Sequence, residues 1–108
     1  MFARMVEINF QPEKQQELLQ LANTELLPLV LRQPGGKDVT ALLSDTDPGK
    51  AISVVFWNTR QDAERFYASA EFDRWQQRVR PFLLREPVIK TYDVATSTFH
   101  HISATRAA

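Results

Sequence analysis

The stretch Ile52 to Phe72, ISVVFWNTRQDAERFYASAEF, narrows the choice of fold more than any other part of the chain. Its first half is β-branched and aromatic and ends in Trp57, which reads as a strand. Asn58-Thr59 follows, and the Thr59 hydroxyl can accept a hydrogen bond from the amide near Asp62, so a helix starts there. Ala63, Phe66, Tyr67 and Ala70 form the apolar stripe of that helix. The strand itself is apolar on both sides. Ile52, Val54 and Phe56 point one way; Val55 and Trp57, with Ala51 and Ser53, point the other. Helices can cover only one face of the sheet. An antiparallel sheet with a wet second face alternates apolar and polar residues, and this strand does not. The second face therefore needs a cover of its own, since a bare one would be a large apolar patch. The simplest cover is a second copy of the chain, packed sheet to sheet about a two-fold axis.

The flanking segments complete the pattern. Phe2 to Phe10 reads as a strand with Val6, Ile8 and Phe10 on one face and Met5, Glu7 and Asn9 on the other. Pro12 and Glu13 suit a helix start. From Glu13 to about Arg32, Leu18, Leu19, Ala22, Leu26, Leu29 and Val30 fall at helical spacing, with Pro28 expected to kink or end the regular part. Pro34-Gly35-Gly36 is a stop. Asp38 to Ser44 and Ala51 to Trp57 are two strands joined by the turn Asp45-Thr46-Asp47-Pro48-Gly49. After the second helix starts at Thr59, Trp75, Val79, Phe82 and Leu83 continue a helical pattern beyond a break near Ser69, and Pro81 ends it. Val88 to Thr98 is the fourth strand. The order β-α-β-β-α-β is an α+β, ferredoxin-like arrangement: a four-stranded antiparallel sheet with two helices on one face. Residues 1–102 form one domain, and 103–108 read as a flexible C-terminal tail.

Composition excludes several function classes. At 108 residues the chain has room for one modest core. With 13 basic and 13 acidic residues the formal net charge is zero, which argues against nucleic acid or an acidic membrane as a partner. The absence of cysteine removes disulfides, thiolate metal sites and a Cys nucleophile. Arg4 and Glu7 interrupt the N-terminal apolar stretch that a signal peptide needs, and no apolar run approaches the ~20 residues of a membrane span. A cytoplasmic location is the expectation. No phosphate loop, Ser-His-Asp spacing, HExxH or paired-carboxylate signature is present.

VVFWNTRQDAERFYASAEF, then Val79-Arg80-Pro81-Phe82-Leu83, then Glu86-Pro87-Val88 leading into Tyr92-Asp93-Val94, resemble the dimeric α/β-barrel superfamily. Within it, residues 2 to 98 look most like the antibiotic biosynthesis monooxygenase (ABM) family. The resemblance implies a dimeric α/β barrel with a cavity between the helices and the sheet of each subunit. It also implies a cofactor-independent oxygenase chemistry on a small aromatic phenol or quinol, whose anion gives an electron to dioxygen with no metal and no cofactor. The haem-degrading branch carries a His on the second helix, at a position that falls near Gln76 here; no His lies between Met1 and Phe99. A haem iron would lack that ligand.

The resemblance places Trp57, Phe66, Tyr67 and Trp75 near the cavity. Trp57 is the leading catalytic candidate and equally a core residue fixing the strand-to-helix corner. Tyr67 could donate a proton or a hydrogen bond to a phenolate, or pack its ring inward with its hydroxyl in solvent. Asn9 could orient a carbonyl or hydroxyl. Phe72 and Trp75, with Phe66, could line a flat aromatic pocket or be plain core. Arg4, on the face of Val6 and Ile8, could pair with a substrate oxyanion or with a carboxylate across the dimer. His100 and His101 point to opposite sides of an extended chain and suit a solvated or dimer-edge role. Arg74, Arg78, Arg80 and Arg85, beside Glu71, Asp73 and Glu86, read as a salt-bridged surface. The first functional reading is a cofactor-independent monooxygenase. The alternative is a non-catalytic small-ligand-binding or structural dimer; a third is an isomerase or decarboxylase on the same scaffold. An open pocket of roughly 300 Å³ or more with convergent polar groups would favour the enzyme, and a cavity filled by side chains would favour the scaffold.

Overall fold

A computed structural model describes residues 1–100 and Ile102. His101 and the tail expected over 103–108 lie outside the described residues. Four strands form one antiparallel sheet: β1 (Phe2–Asn9), β2 (Gly36–Leu43), β3 (Lys50–Trp57) and β4 (Val88–Asp93), in the order β2-β3-β1-β4. The two central strands are therefore the two that carry most apolar residues. β1 pairs Phe2 with Trp57 and Arg4 with Val55 on one side, and Phe2 with Asp93 and Arg4 with Thr91 on the other.

The helices lie over one face. A 3-10 turn (Pro12–Lys14) leads into α1 (Gln15–Leu21), a π-helical turn (Ala22–Leu26) and α2 (Leu27–Leu31). Pro28 does not end this helix. It sits in the first turn of α2, where its missing N–H costs little, and the π-turn just before it absorbs the change of register. α3 (Arg60–Tyr67) and α4 (Ala70–Val79) follow β3, and a short 3-10 turn (Arg80–Phe82) holds Pro81. Thr59 caps α3, accepting from the Asp62 amide at 3.1 Å. Ser69 caps α4, accepting from Phe72 N at 3.2 Å, so the expected break near Ser69 is two helices end to end.

Two strand limits differ from expectation for physical reasons. β4 stops at Asp93 rather than Thr98 because Asp93 pairs with Phe2, the first residue of β1; one further bond, Val94 N to Met1 O at 2.9 Å, exhausts the partner. β2 begins earlier than Asp38, at Gly36, with an irregularity between Gly36 and Asp38. A Cβ at Gly36 would collide with the Val30 carbonyl, so only glycine lets β2 pass this close to α2.

Alternation divides the sheet cleanly. Phe2, Arg4, Val6 and Ile8 share the helix-covered face with Trp57, Val55, Ser53 and Ala51. Ala3, Met5, Glu7 and Asn9 share the outer face with Phe56, Val54, Ile52 and Lys50. The packed core lies at one end, where Phe2, Leu29, Val30, Val55, Trp57, Ala63 and Phe66 meet. Toward the other end the helices stand off the sheet. On the outer face the chain beyond β4 folds back: the His100 ring stacks 4.5 Å from Phe56, and His100 Nε2 lies 3.5 Å from Asp38 Oδ2.

Candidate active site

The space left between helices and sheet is a cavity of about 820 Å³. Its walls are mostly apolar, with Val6 and Ile8 of β1, Val55 of β3, Leu18 and Leu26 of the first helical run, and Trp75 of α4. The stripe of the first helix thus faces a void along much of its length. The cavity has the size of a small-ligand site.

At the packed end, β1, β3 and α3 bring three side chains together. Trp57 is fully buried at the last position of β3. Its Nε1 donates to Tyr67 Oη at 3.1 Å. Tyr67 is the last residue of α3, ten positions on, and the cap at Thr59 sets the helix phase that brings its hydroxyl back to the indole. The Arg4 guanidinium carbon lies 3.7 Å from the centre of the Tyr67 ring and 5.2 Å from that of Phe72, a cation–π contact. Phe66 and Phe72 close the cluster, with ring centres 5.3 Å apart. Arg4, Phe66, Tyr67, Phe72 and Trp75 all line the cavity, while Trp57 stands behind Tyr67.

The electrostatics follow from burial. Burial pushes the Tyr67 phenol above its ordinary range, while the Trp57 hydrogen bond and the Arg4 charge pull the other way. Burial also lowers the Arg4 guanidinium, against a counteracting attraction to Tyr67. At neutral pH Tyr67 is therefore an un-ionised phenol, while Arg4 stays a cation because a guanidinium keeps its proton in proteins. Because the Tyr67 oxygen already accepts from Trp57, its own proton is free to be donated. Arg4 Nε is enclosed and has no hydrogen-bond partner among the described residues.

Asn9 lies apart from the other expected site residues. It pairs with Lys50 on the outer face, is absent from the cavity wall, and gives its carbonyl to Leu84 N at 2.8 Å. Its odd position in β1 puts it opposite to Arg4 and Val6. The same alternation corrects one expectation for Arg4: it faces the cavity, not the surface where a second sheet would pack. The arginine cluster splits. Arg78 Nη2 binds Glu25 Oε2 at 2.7 Å on the surface, whereas Arg80 and Arg85, with Glu86, line the cavity. Asn23 and Gln76 also line it. Sequence reasoning missed Asn23; its signal was a polar residue four positions from Leu19 and Leu27, on an otherwise apolar stripe.

The split βαβ sheet with one open apolar cavity, ending in an aromatic cluster and a cation, defines a small-molecule site in a ferredoxin-like domain. Among the described residues no group of His, Asp and Glu is placed to hold a metal ion, and no helix is long and apolar enough to cross a membrane. The antibiotic biosynthesis monooxygenase family matches residues 1–78, and the chain belongs to that family. Solved structures agree on the fold. A "putative antibiotic biosynthesis monooxygenase" from Bordetella bronchiseptica is 22% identical with a TM-score of 0.78, over 86% of this chain and 95% of that one. One of the same name from Nitrosomonas europaea is 19% identical with a TM-score of 0.75, over 87% and 98%. A conserved protein from Bacteroides thetaiotaomicron, described as a possible oxidoreductase, is 13% identical with a TM-score of 0.71, over 84% and 94%. No curated protein matches the chain.

Proposed function

We propose that the chain is a cofactor-independent monooxygenase acting on a small aromatic phenol or quinol, working as a cytoplasmic homodimer. The observation that carries this reading is the 820 Å³ apolar cavity that ends at Tyr67 and Arg4. A filled interior would have supported a structural dimer instead. The mostly apolar walls suit an aromatic ring. Tyr67 supplies a neutral O–H donor whose oxygen is fixed by Trp57. Arg4 supplies the charge that an anionic intermediate needs.

The chemistry balances without a resident redox group. The phenol loses its proton, and the anion gives one electron to dioxygen. The resulting radical and superoxide combine at ring carbon, forming a carbon–oxygen bond. Cleavage of the O–O bond with loss of the ring hydrogen then gives the quinone and one water. One phenol and one dioxygen are consumed per quinone and water formed. Arg4 and Tyr67 are assigned the positioning of the oxygen atoms, and Trp57 holds Tyr67 in place.

Oxygen uptake with a panel of naphthols and hydroquinones, corrected for autoxidation, tests the reading. The expected result is protein-dependent uptake with one ¹⁸O atom from dioxygen in the quinone. Binding of these compounds with no uptake above autoxidation would replace the oxygenase by the ligand-binding alternative. One observation favours that alternative: Glu86 is the one carboxylate of the cavity wall, and no histidine lines it among the described residues.

A further inference from the structure

The cavity presents a problem of proton handling. A phenol must be ionised before it can give up an electron, yet among the described residues the Trp57–Tyr67 end holds no general base. The Tyr67 phenol is neutral, and Glu86 precedes β4, whose first residue, Val88, pairs with Glu7 rather than with Arg4. Glu7 is three strand positions from Arg4, roughly 10 Å. What stands at the Tyr67 end is a cation. Arg4 has Val55 and Thr91 as its cross-strand neighbours, both uncharged.

We infer that Arg4 replaces the base: the cavity binds its aromatic ligand as the phenolate, with the anionic oxygen on the guanidinium edge and the Tyr67 hydroxyl as second donor. This rests on the reading of the cavity as the substrate site. The geometry of Arg4 carries it. The guanidinium carbon lies 3.7 Å from the centre of the Tyr67 ring, which holds the charge against the aromatic cluster at the end of the cavity. Arg4 lines the cavity, and because its Nε is enclosed the Nη groups are the donors left to meet an oxyanion. Tyr67 Oη accepts from Trp57 and keeps its proton to donate. A neutral phenol offers a competing O–H donor to these donors and fits less well. The phenolic proton leaves to solvent as the ligand binds, so no protein group has to take it. Arg4 is then a specificity-determining residue: it selects ligands by the acidity of their hydroxyl.

The test uses 4-nitrophenol, whose ionised form is yellow, with the full-length protein and no turnover. Binding is followed by quenching of tryptophan fluorescence, and ionisation by absorbance across pH. The expected result is phenolate bound about tenfold more tightly than phenol, read as an apparent pKa about one unit lower when bound. Arg4→Lys should keep the direction of the shift. Arg4→Gln, which keeps donors but not charge, should abolish it; circular dichroism checks that each variant is folded. Equal affinity for the two forms, a shift that survives in Arg4→Gln, or no binding at millimolar probe would each overturn the inference. A lowered pKa without oxygen uptake would keep the oxyanion site and remove the oxygenase. Uptake without a lowered pKa would do the reverse.

Discussion

At the scale of single residues, the Trp57–Tyr67 hydrogen bond couples core to site. Trp57 is fully buried, so Tyr67→Phe strands its N–H without an acceptor. That should cost about 1–3 kcal/mol in urea denaturation. Trp57→Phe removes the donor and some volume together, and the double variant should be less destabilised than the sum of the singles, because the stranded group is gone. Additive effects would mean that the bond contributes nothing. The same tyrosine sets an alkaline limit. Its pKa in the folded state lies above the value of 10.0 for a free phenol, mainly through burial. The folded state therefore holds this proton more tightly than the unfolded one. Stability from this source is complete below pH 10 and is lost as pH rises through the folded-state value. The denaturation midpoint should fall above about pH 10, and fall less in Tyr67→Phe; identical slopes would contradict the assignment. Trp57 was legible from its place at the end of an apolar strand. Its partner was not, because a hydrogen bond between residues ten apart depends on how the helix turns back, which no local pattern records.

At the scale of elements, the Thr59 cap was the most legible feature and the π-turn the least; Ser69 was read as a break, and its capping role comes from the structure. Thr59 and Ser69 each precede an amphipathic run, and each accepts the amide three residues on. Ser69 does more: its hydroxyl also donates to Phe66 O at 2.6 Å, joining the end of α3 to the start of α4. It thereby fixes the relative placement of Phe66 and Phe72, which flank Tyr67. Ser69→Ala should lower stability by about 1 kcal/mol and weaken ligand binding in the cavity, whereas Thr59→Ala should cost a similar stability with a smaller effect on binding. Chemical denaturation and fluorescence titration separate the two outcomes; equal binding losses would deny Ser69 its positioning part. The first helix shows the limit of periodicity. Leu18, Leu19, Ala22 and Leu26 have the spacing of a core stripe, and an apolar stripe reads the same whether it meets side chains or a void. The cavity was therefore invisible in the pattern that builds its wall.

At the scale of the whole molecule, the sheet has one face covered by helices and one carrying a contiguous set of apolar side chains. On that outer face Phe56 and Val54 are flanked by Ala3 and Met5 of β1. Leu42 of β2 and Tyr92 of β4, at the two edges, are each about half exposed, at 52% and 49%. The two-sided apolarity of β3 made this face legible from the residues alone, and the argument for a second copy stands on the same physics. What the residues did not reveal is that the chain's own C-terminal segment already rests there, with His100 on Phe56 and Ser97 Oγ 3.2 Å from His100 Nδ1. Sheet-to-sheet association must displace this segment or enclose it. If it is displaced, His100→Ala weakens the competitor and should tighten the dimer several-fold in sedimentation equilibrium. If it is enclosed, the same change removes an interface contact and should loosen it. Either result presupposes a dimer, which light scattering reads directly as a mass of about twice the 12.4 kDa of one chain. Val54→Glu, at the centre of the outer face and away from the cavity, should give a folded monomer that still binds a cavity ligand, since a desolvated charge opposes association but not the fold of one sheet. A wild-type chain that stays monomeric at millimolar concentration would remove the two-fold packing and leave the apolar outer face to be covered by the C-terminal segment alone.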